Sequence, residues 1–238
     1  MRTERVDQYW SDRFGLEPGA LYREGITVVP HARSWEDNFA YVFVRGATCI
    51  LSVAPAFVEA TGERVRDFGV PHALLRDENL NVVFDRRIHH TVGPAYQGYA
   101  EKEDFLPRVS GAVRHLGTGE HHLLERLKSG CEPIAWQHSG VDATDSPVFA
   151  YFVSGDVVAI AHYSMWAAGV ASIGVVTHPS HRSRGYGRFA VSAAMAHALE
   201  HGHLVVYQTL TSNVPSVALA TSLGCRDYAR TVAVHLVV

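Results

Sequence analysis

The run Val170–Arg188, VASIGVVTHPSHRSRGYGR, constrains this chain more than any other segment. A stretch rich in Val and Ile ends at Pro179. A loop follows that carries Arg182, Arg184 and Arg188 together with Gly185 and Gly187. Phe189–Glu200 is then rich in Ala and favours helix. Strand, basic glycine-containing loop, helix start: that order builds an anion site from backbone N–H groups and a helix N-terminus. The chain as a whole is mildly acidic, with a formal net charge of -3. Three clustered arginines therefore read as placed for a ligand rather than as a reflection of bulk composition.

Other readings compete for the same loop. Gly185-Tyr186-Gly187-Arg188-Phe189-Ala190 also fits the Gly-x-Gly-x-x-Ala dinucleotide fingerprint. That fingerprint normally opens a domain of several further strands, whereas only 48 residues follow Ala190, and Leu204–Thr209 ends in no Asp or Glu for a ribose hydroxyl. A plain strand-to-helix turn needs neither three arginines nor two spaced glycines. No Gly-Lys-Ser/Thr is present, which excludes a P-loop.

Arg182-Ser183-Arg184-Gly185-Tyr186-Gly187, with Pro179 upstream, resembles the acyl-CoA-binding signature Arg/Gln-x-x-Gly-x-Gly/Ala of the GNAT superfamily of N-acetyltransferases. The downstream stretch strengthens the resemblance. A second strand, Leu204–Thr209, is followed by Asn213, Ser216, Leu219 and Leu223-Gly224, similar to that family's Asn-x-x-Ala/Ser-x-x-Leu…Leu-Gly-Phe segment, with Cys225 in place of Phe. The resemblance covers residues 111–238 and says nothing of residues 1–110.

The resemblance implies an α/β fold, with a mixed, mostly antiparallel central sheet flanked by helices and a small N-terminal α/β unit added. It also implies an acetyl-CoA-dependent transfer to an amine of a small molecule or peptide. The loop would hold the CoA pyrophosphate through backbone N–H groups of 183–188 (Ser183, Arg184, Gly185, Tyr186, Gly187 and Arg188) and through the side chains of Arg182, Arg184 or Arg188. The pantetheine arm would add to the edge of the preceding strand at Val175, Val176 and Thr177, and Asn213 would contact it.

Proton transfer is where this chain departs from the family pattern. The position seven residues after Asn213, where many members carry a Tyr as general acid, is Ala220. Residues 157–181 contain no Asp or Glu, and the next strand offers Gln208. Ser216 is the candidate acid to the thiolate. His178, His162 or His138 is the candidate base, and water is the alternative. The shortfall is tolerable, because a thiol of pKa about 8.5 leaves without strong acid help and one general acid or base contributes typically ~10²–10⁴ in rate. Trp136, Trp166 and Tyr163 are candidates to line the acceptor pocket, and Glu132, Asp142 and Asp145 to attract an amine. The missing acid and base also leave a second class open, a non-catalytic acyl-CoA-binding or sensory domain.

Composition sets the outer bounds. At 238 residues, 47% hydrophobic and 19% charged, the chain suits one large or two small domains with a real core. The near-neutral charge gives no reason to expect nucleic acid as a partner. Three widely spaced cysteines, Cys49, Cys131 and Cys225, suggest a reducing compartment, and the N-terminal residues lack an apolar signal region, so a cytoplasmic location is expected. Residues 157–176 are 20 residues without a charge, the length of a membrane span. Ala167-Ala168-Gly169 interrupts them, and two buried strands of a hairpin explain them better. The histidine pairs 89/90, 121/122 and 201/203 do not match well-known zinc spacings, so no metal is expected.

Periodicity and punctuation give the element order. A helix is expected over 4–14, strands over 26–29, 41–44 and 48–53, a helix over 55–66, and irregular chain over 68–110, where Gly69, Pro71, Gly93-Pro94, Gly98 and Pro107 recur. A boundary falls near 105–111, giving units 1–110 and 111–238. The roles open to the first are to cover one side of the second or to make homodimer contacts. Beyond the boundary, strands are expected over 113–116, 148–153, 157–164, 170–178, 204–209 and 229–238. Helices are expected over 120–128, 132–136 and 186–200, with a last one capped by Ser212 or Asn213.

Overall fold

A computed structural model of the protein describes residues 4–31, 39–117, 119–143 and 147–237. The chain groups into two compact units, each assembled from separate stretches. The first holds residues 1–98, 208–217 and 227–238; the second holds 99–207 and 218–226. The division expected at 110/111 is a single cut, whereas this grouping returns to the first unit twice.

In the first unit, α1 (Glu4–Phe14) precedes β1 (Gly25–Pro30), β2 (Phe39–Arg45) and β3 (Thr48–Val53), then α2 (Val58–Val65) and α3 (Asp77–Val83). β4 (Ile88–Ala100) follows, in this unit up to Gly98, and β10 (Arg226–Leu236), in this unit from Asp227, arrives from far along the sequence. The strands lie in the order β1-β3-β2-β10-β4. β1 pairs parallel with β3, while β2 pairs antiparallel with β3 and β10. Alternation along β2 covers both faces of this sheet. Ala40, Val42 and Val44 pack with Leu74, Leu80, Val83 and Val234. Phe43 and Tyr41 meet Trp10 and Phe14 of α1, with Trp10 and Phe43 ring centroids 4.9 Å apart.

The expectation of irregular chain over 68–110 is corrected here. α3 occupies Asp77–Val83, and β4 runs 13 residues through Gly93-Pro94 and Gly98. Its last six residues, Ala95–Ala100, are all buried, so tertiary burial overrides the local punctuation.

In the second unit, β5 (Val113–His115), α4 (His121–Ser129) and α5 (Pro133–Ser139) precede β6 (Phe149–Val153), β7 (Asp156–Trp166) and β8 (Val170–Thr177). α6 (Tyr186–Glu200), β9 (Leu204–Leu210) and α7 (Val214–Ser222) follow; β9 up to Tyr207 and α7 from Ala218 belong to this unit. The order is β9-β8-β7-β6-β5, with β8 and β9 parallel and the others antiparallel. Both units therefore have the expected α/β character, with a mostly antiparallel sheet flanked by helices. The uncharged stretch 157–176 is a hairpin, β7 and β8 turning at Ala167–Gly169. Among the described residues no helix is long and apolar enough to cross a membrane.

α6 explains the Ala-rich segment. Ala190, Val191, Ala194, Met195 and Ala198 are fully enclosed, so small side chains let the helix lie close on the sheet. The opposite face carries Ile160 and Val176, packed with Leu127 and Trp136 of α4 and α5. β8 is thus clamped between two layers, and its last residues lead directly into the basic loop.

Candidate active site

The loop begins as a single turn, Pro179–His181, and reaches α6 through two residues in the left-handed region, Ser183 at φ 62° and Gly185 at φ 80°. Gly185 is the N-terminal cap of α6 and supplies no side-chain cap. The first amides of α6 are therefore uncapped by a side chain, and the helix dipole adds its positive end there. Gly187 answers a different need. A Cβ at this position would sit 2.7 Å from Thr177 Oγ1 and 3.6 Å from Val175 Cγ2. Only glycine lets α6 start this close to the end of β8. Tyr186 fixes the same turn from the side by stacking on Tyr151, ring centroids 4.5 Å apart.

β8 presents a half-paired edge. His178 N–H donates to Val158 O at 2.9 Å. In an antiparallel ladder the bonded pairs alternate, so Val176 and Gly174 exchange bonds with β7, opposite Ile160 and His162. The N–H and C=O groups of Ile173, Val175 and Thr177 therefore point to the other side. There β9 is registered with β8 at Val170–Ser172, and among the described residues of this unit no strand is registered beyond that point. Of the three residues expected to bind the cofactor arm, Val175 offers its N–H and C=O to this edge and Thr177 its N–H, the Thr177 C=O being taken by Arg182 Nε. Val176 is spent in the ladder and buried at 5% exposure.

The three arginines are not equivalent. Arg182 Nη1 and Nη2 donate to the two oxygens of Glu132 at 3.3 and 2.6 Å, and its Nε donates to Thr177 O at 3.3 Å. The guanidinium holds the Glu132 carboxyl below the usual carboxylate range. Arg184 is exposed and makes no hydrogen bond or ion pair among the described residues. Arg188 Nε is enclosed without a hydrogen-bond partner, and an Nη of Arg188 lies 3.4 Å from where a Cβ on Gly185 would be. Two of the three guanidinium groups thus remain available at the start of α6. The Arg182–Glu132 pair needs tertiary structure to be seen; its only sequence trace is an acidic residue just before Pro133 at a helix start.

The remaining candidates are scattered in role. His178 Nδ1 lies 2.8 Å from Ser180 Oγ and accepts from Ser180 N–H at 3.3 Å, while its ring covers the backbone of Gly130. His162 is buried at 1% exposure, where Nε2–H donates to Ser139 O at 2.6 Å and burial pulls its pKa down. His138 is on the exposed side of α5. Trp136 is a core residue whose Nε1 donates to Asp142 at 2.9 Å, and Asp142 is also paired with Lys128. The Tyr163 hydroxyl lies 2.9 Å from His197 Nδ1, next to α6, and Trp166 ends β7 half-buried. Asp145 lies outside the described residues.

Asn213 and Ser216 belong to the first unit. Asn213 Oδ1 accepts from Ser216 N–H at 3.3 Å, which caps α7 as expected. Gln208 is exposed in the same unit, and Ala220 of the second unit is fully buried. Among the described residues no group of three His, Cys, Asp or Glu is placed to hold a metal ion.

The sequence over 120–225 matches the family model of the acetyltransferase (GNAT) family. No curated protein matches the chain. Several solved structures resemble it. A GCN5-related N-acetyltransferase from Kribbella flavida is 23% identical, with 66% of this chain and 63% of that one covered at a TM-score of 0.50. A GNAT-family acetyltransferase from Colwellia psychrerythraea is 15% identical, with 66% and 61% covered at a TM-score of 0.50. A GNAT-family protein from Novosphingobium aromaticivorans is 21% identical, with 64% and 68% covered at a TM-score of 0.50. At these identities the likeness is one of fold. The segment matched by the family model spans less than half of the chain and contains β8, the basic loop and α6.

Proposed function

We propose that the protein is an acetyl-CoA-dependent N-acetyltransferase, with residues 111–238 carrying the reaction and a cytoplasmic location. The observation that carries this reading is a continuous ligand-binding line: the open edge of β8 runs directly into uncapped amides at the start of α6, flanked by the unspent guanidinium groups of Arg184 and Arg188. An elongated molecule with an amide-bearing arm and a pyrophosphate at one end fits that order. The backbone of 183–188 takes the phosphates. Val175 and Thr177 bond the arm as an added strand would. Asn213 is assigned to the same arm.

Acetyl-CoA supplies the thioester; the acceptor amine forms a C–N bond to its acyl carbon while the C–S bond breaks. A β8 backbone N–H serves the oxygen that gains charge. With the phosphates at the loop, the reacting end lies toward Ile173, about 13 Å along the strand from Thr177 at ~3.3 Å per residue. His178 stands at the loop end and is engaged by Ser180. We therefore assign it to support of the loop, and the amine proton to water. Ser216 remains the proposed donor to the departing sulfur. The acceptor is an amine of a small molecule or peptide.

A second reading is a non-catalytic acyl-CoA-binding or sensory domain. It is favoured by the enclosed alanine at position 220 and by the absence of any carboxylate over 157–181. Thermal unfolding with and without acetyl-CoA, with thiol release followed against a panel of amines, separates the two. Ligand at 100 times its dissociation constant stabilises by about 2.7 kcal/mol. A shift with amine-dependent thiol release supports the transferase, a shift with no release for any amine supports the sensory domain, and no shift overturns both.

A further inference from the structure

We infer that Glu132 is a positioning residue for the basic loop: it holds the Arg182 guanidinium against the end of β8, so that Arg182 shapes the loop while Arg184 and Arg188 face the ligand. This rests on the reading of the loop as a CoA-phosphate site.

Three observations converge on it. Arg182, half-exposed at the surface, spends all three of its nitrogens on protein partners, two in parallel bonds to Glu132 and one on Thr177 O. That fork fixes the guanidinium plane as a single contact would not. The next residue, Ser183, has φ 62°, a left-handed conformation that is unfavourable for a non-glycine residue. Such a residue persists only where its surroundings hold it, and Arg182 is the anchor on its N-terminal side. Finally, Glu132 lies immediately before α5, so the brace ties the start of that helix to the loop and to β8. By charge alone, an ionised carboxylate beside an anion site opposes the ligand. Positioning and charge therefore predict opposite signs for its removal.

The test is calorimetric titration of the full chain with acetyl-CoA. Glu132→Gln is expected to weaken binding about fivefold, the upper range for exposed ion pairs. Arg182→Gln is expected to do the same, and the double variant Glu132→Gln/Arg182→Gln no worse than either alone, because one contact is lost in each case. The salt dependence of binding stays as in the wild type for the double variant, in which opposite charges are removed together and no ligand contact is lost. Glu132→Asp, which keeps the charge but shortens its reach, loses less than Glu132→Gln and serves as the second variant if the latter is unstable. Unchanged or tighter binding by Glu132→Gln overturns the inference, as does a reduced salt dependence in the double variant. A wild-type protein that does not bind acetyl-CoA overturns the parent reading instead.

Discussion

Arg45 in the first unit and Arg188 in the second are both partly enclosed arginines, and they are treated in opposite ways. Arg45 is satisfied on several sides. It donates to Asp7 at 3.0 Å and to the Tyr22 hydroxyl at 3.2 Å, and its guanidinium lies 4.3 Å from the Tyr22 ring centroid and 4.5 Å from that of Tyr228. Asp7 in turn accepts from Tyr22 and from Tyr228 at 2.5 and 2.6 Å. Burial and the Asp7 hydrogen bond push the Tyr228 hydroxyl pKa far up, so it stays a donor. Arg188, by contrast, keeps an enclosed nitrogen without a partner beside uncapped helix amides. A folded chain normally satisfies its enclosed polar groups. The first arrangement is architecture, and the second is a cost that a bound anion would offset under the proposed function.

The contrast breaks most visibly at Asp7. Asp7→Ala strands the Arg45 charge, whose side chain is 20% exposed, and is expected to lower stability by about 3 kcal/mol in urea unfolding. Acetyl-CoA affinity of the folded variant should be unchanged; lost affinity would mean that the network serves the site. Next comes Gly185→Val, which places a β-branched residue at φ 80°. Acetyl-CoA binding is expected to fall at least about 100-fold, through loss of two charge-assisted bonds, with only about 1–2 kcal/mol of stability lost to backbone strain. Retained binding sinks the loop assignment. Arg188→Gln should weaken binding about tenfold and leave the melting temperature of the free protein unchanged or slightly raised. A clear drop in that temperature would make Arg188 structural like Arg45.

The smallest effect concerns acid. Burial lowers the pKa of His162 below its ordinary 6.5, and burial together with His201 lowers that of His197. The unfolded chain therefore takes up protons near pH 6.5 that the folded chain refuses. Stability from these sites is full above that pH and falls as pH drops below it. His162→Asn is expected to flatten this acid limb in melting curves recorded from pH 7 to 5; an unchanged limb assigns it to His197 or elsewhere.

Much of the second unit was readable because its signals are local. Tyr186–Glu200 is helix to the residue, since an apolar alanine run between glycines leaves little choice. The β7–β8 hairpin follows from an uncharged run with one turn in it. What the sequence hid was what depends on distant partners. β4 looked like loop because Gly93, Pro94 and Gly98 interrupt it, while Ala95–Ala100 are strand because they are buried. In the site, residue types and order were legible, but the direction of each group was not. Register decides that Val176 faces β7 while Val175 does not. Glu132 diverts the first of three similar arginines, 50 residues away in sequence.

The position of β10 between β2 and β4 has a consequence for how this protein is made. The sheet of the first unit cannot close until the ribosome has delivered β10, long after β2 and β4. Until then β2 and β4 each wait with an unfilled side. The apolar residues Val232 and Val234 of β10 complete a core begun at Ala40. A substitution that breaks β10 would therefore disable a core begun far upstream in the sequence.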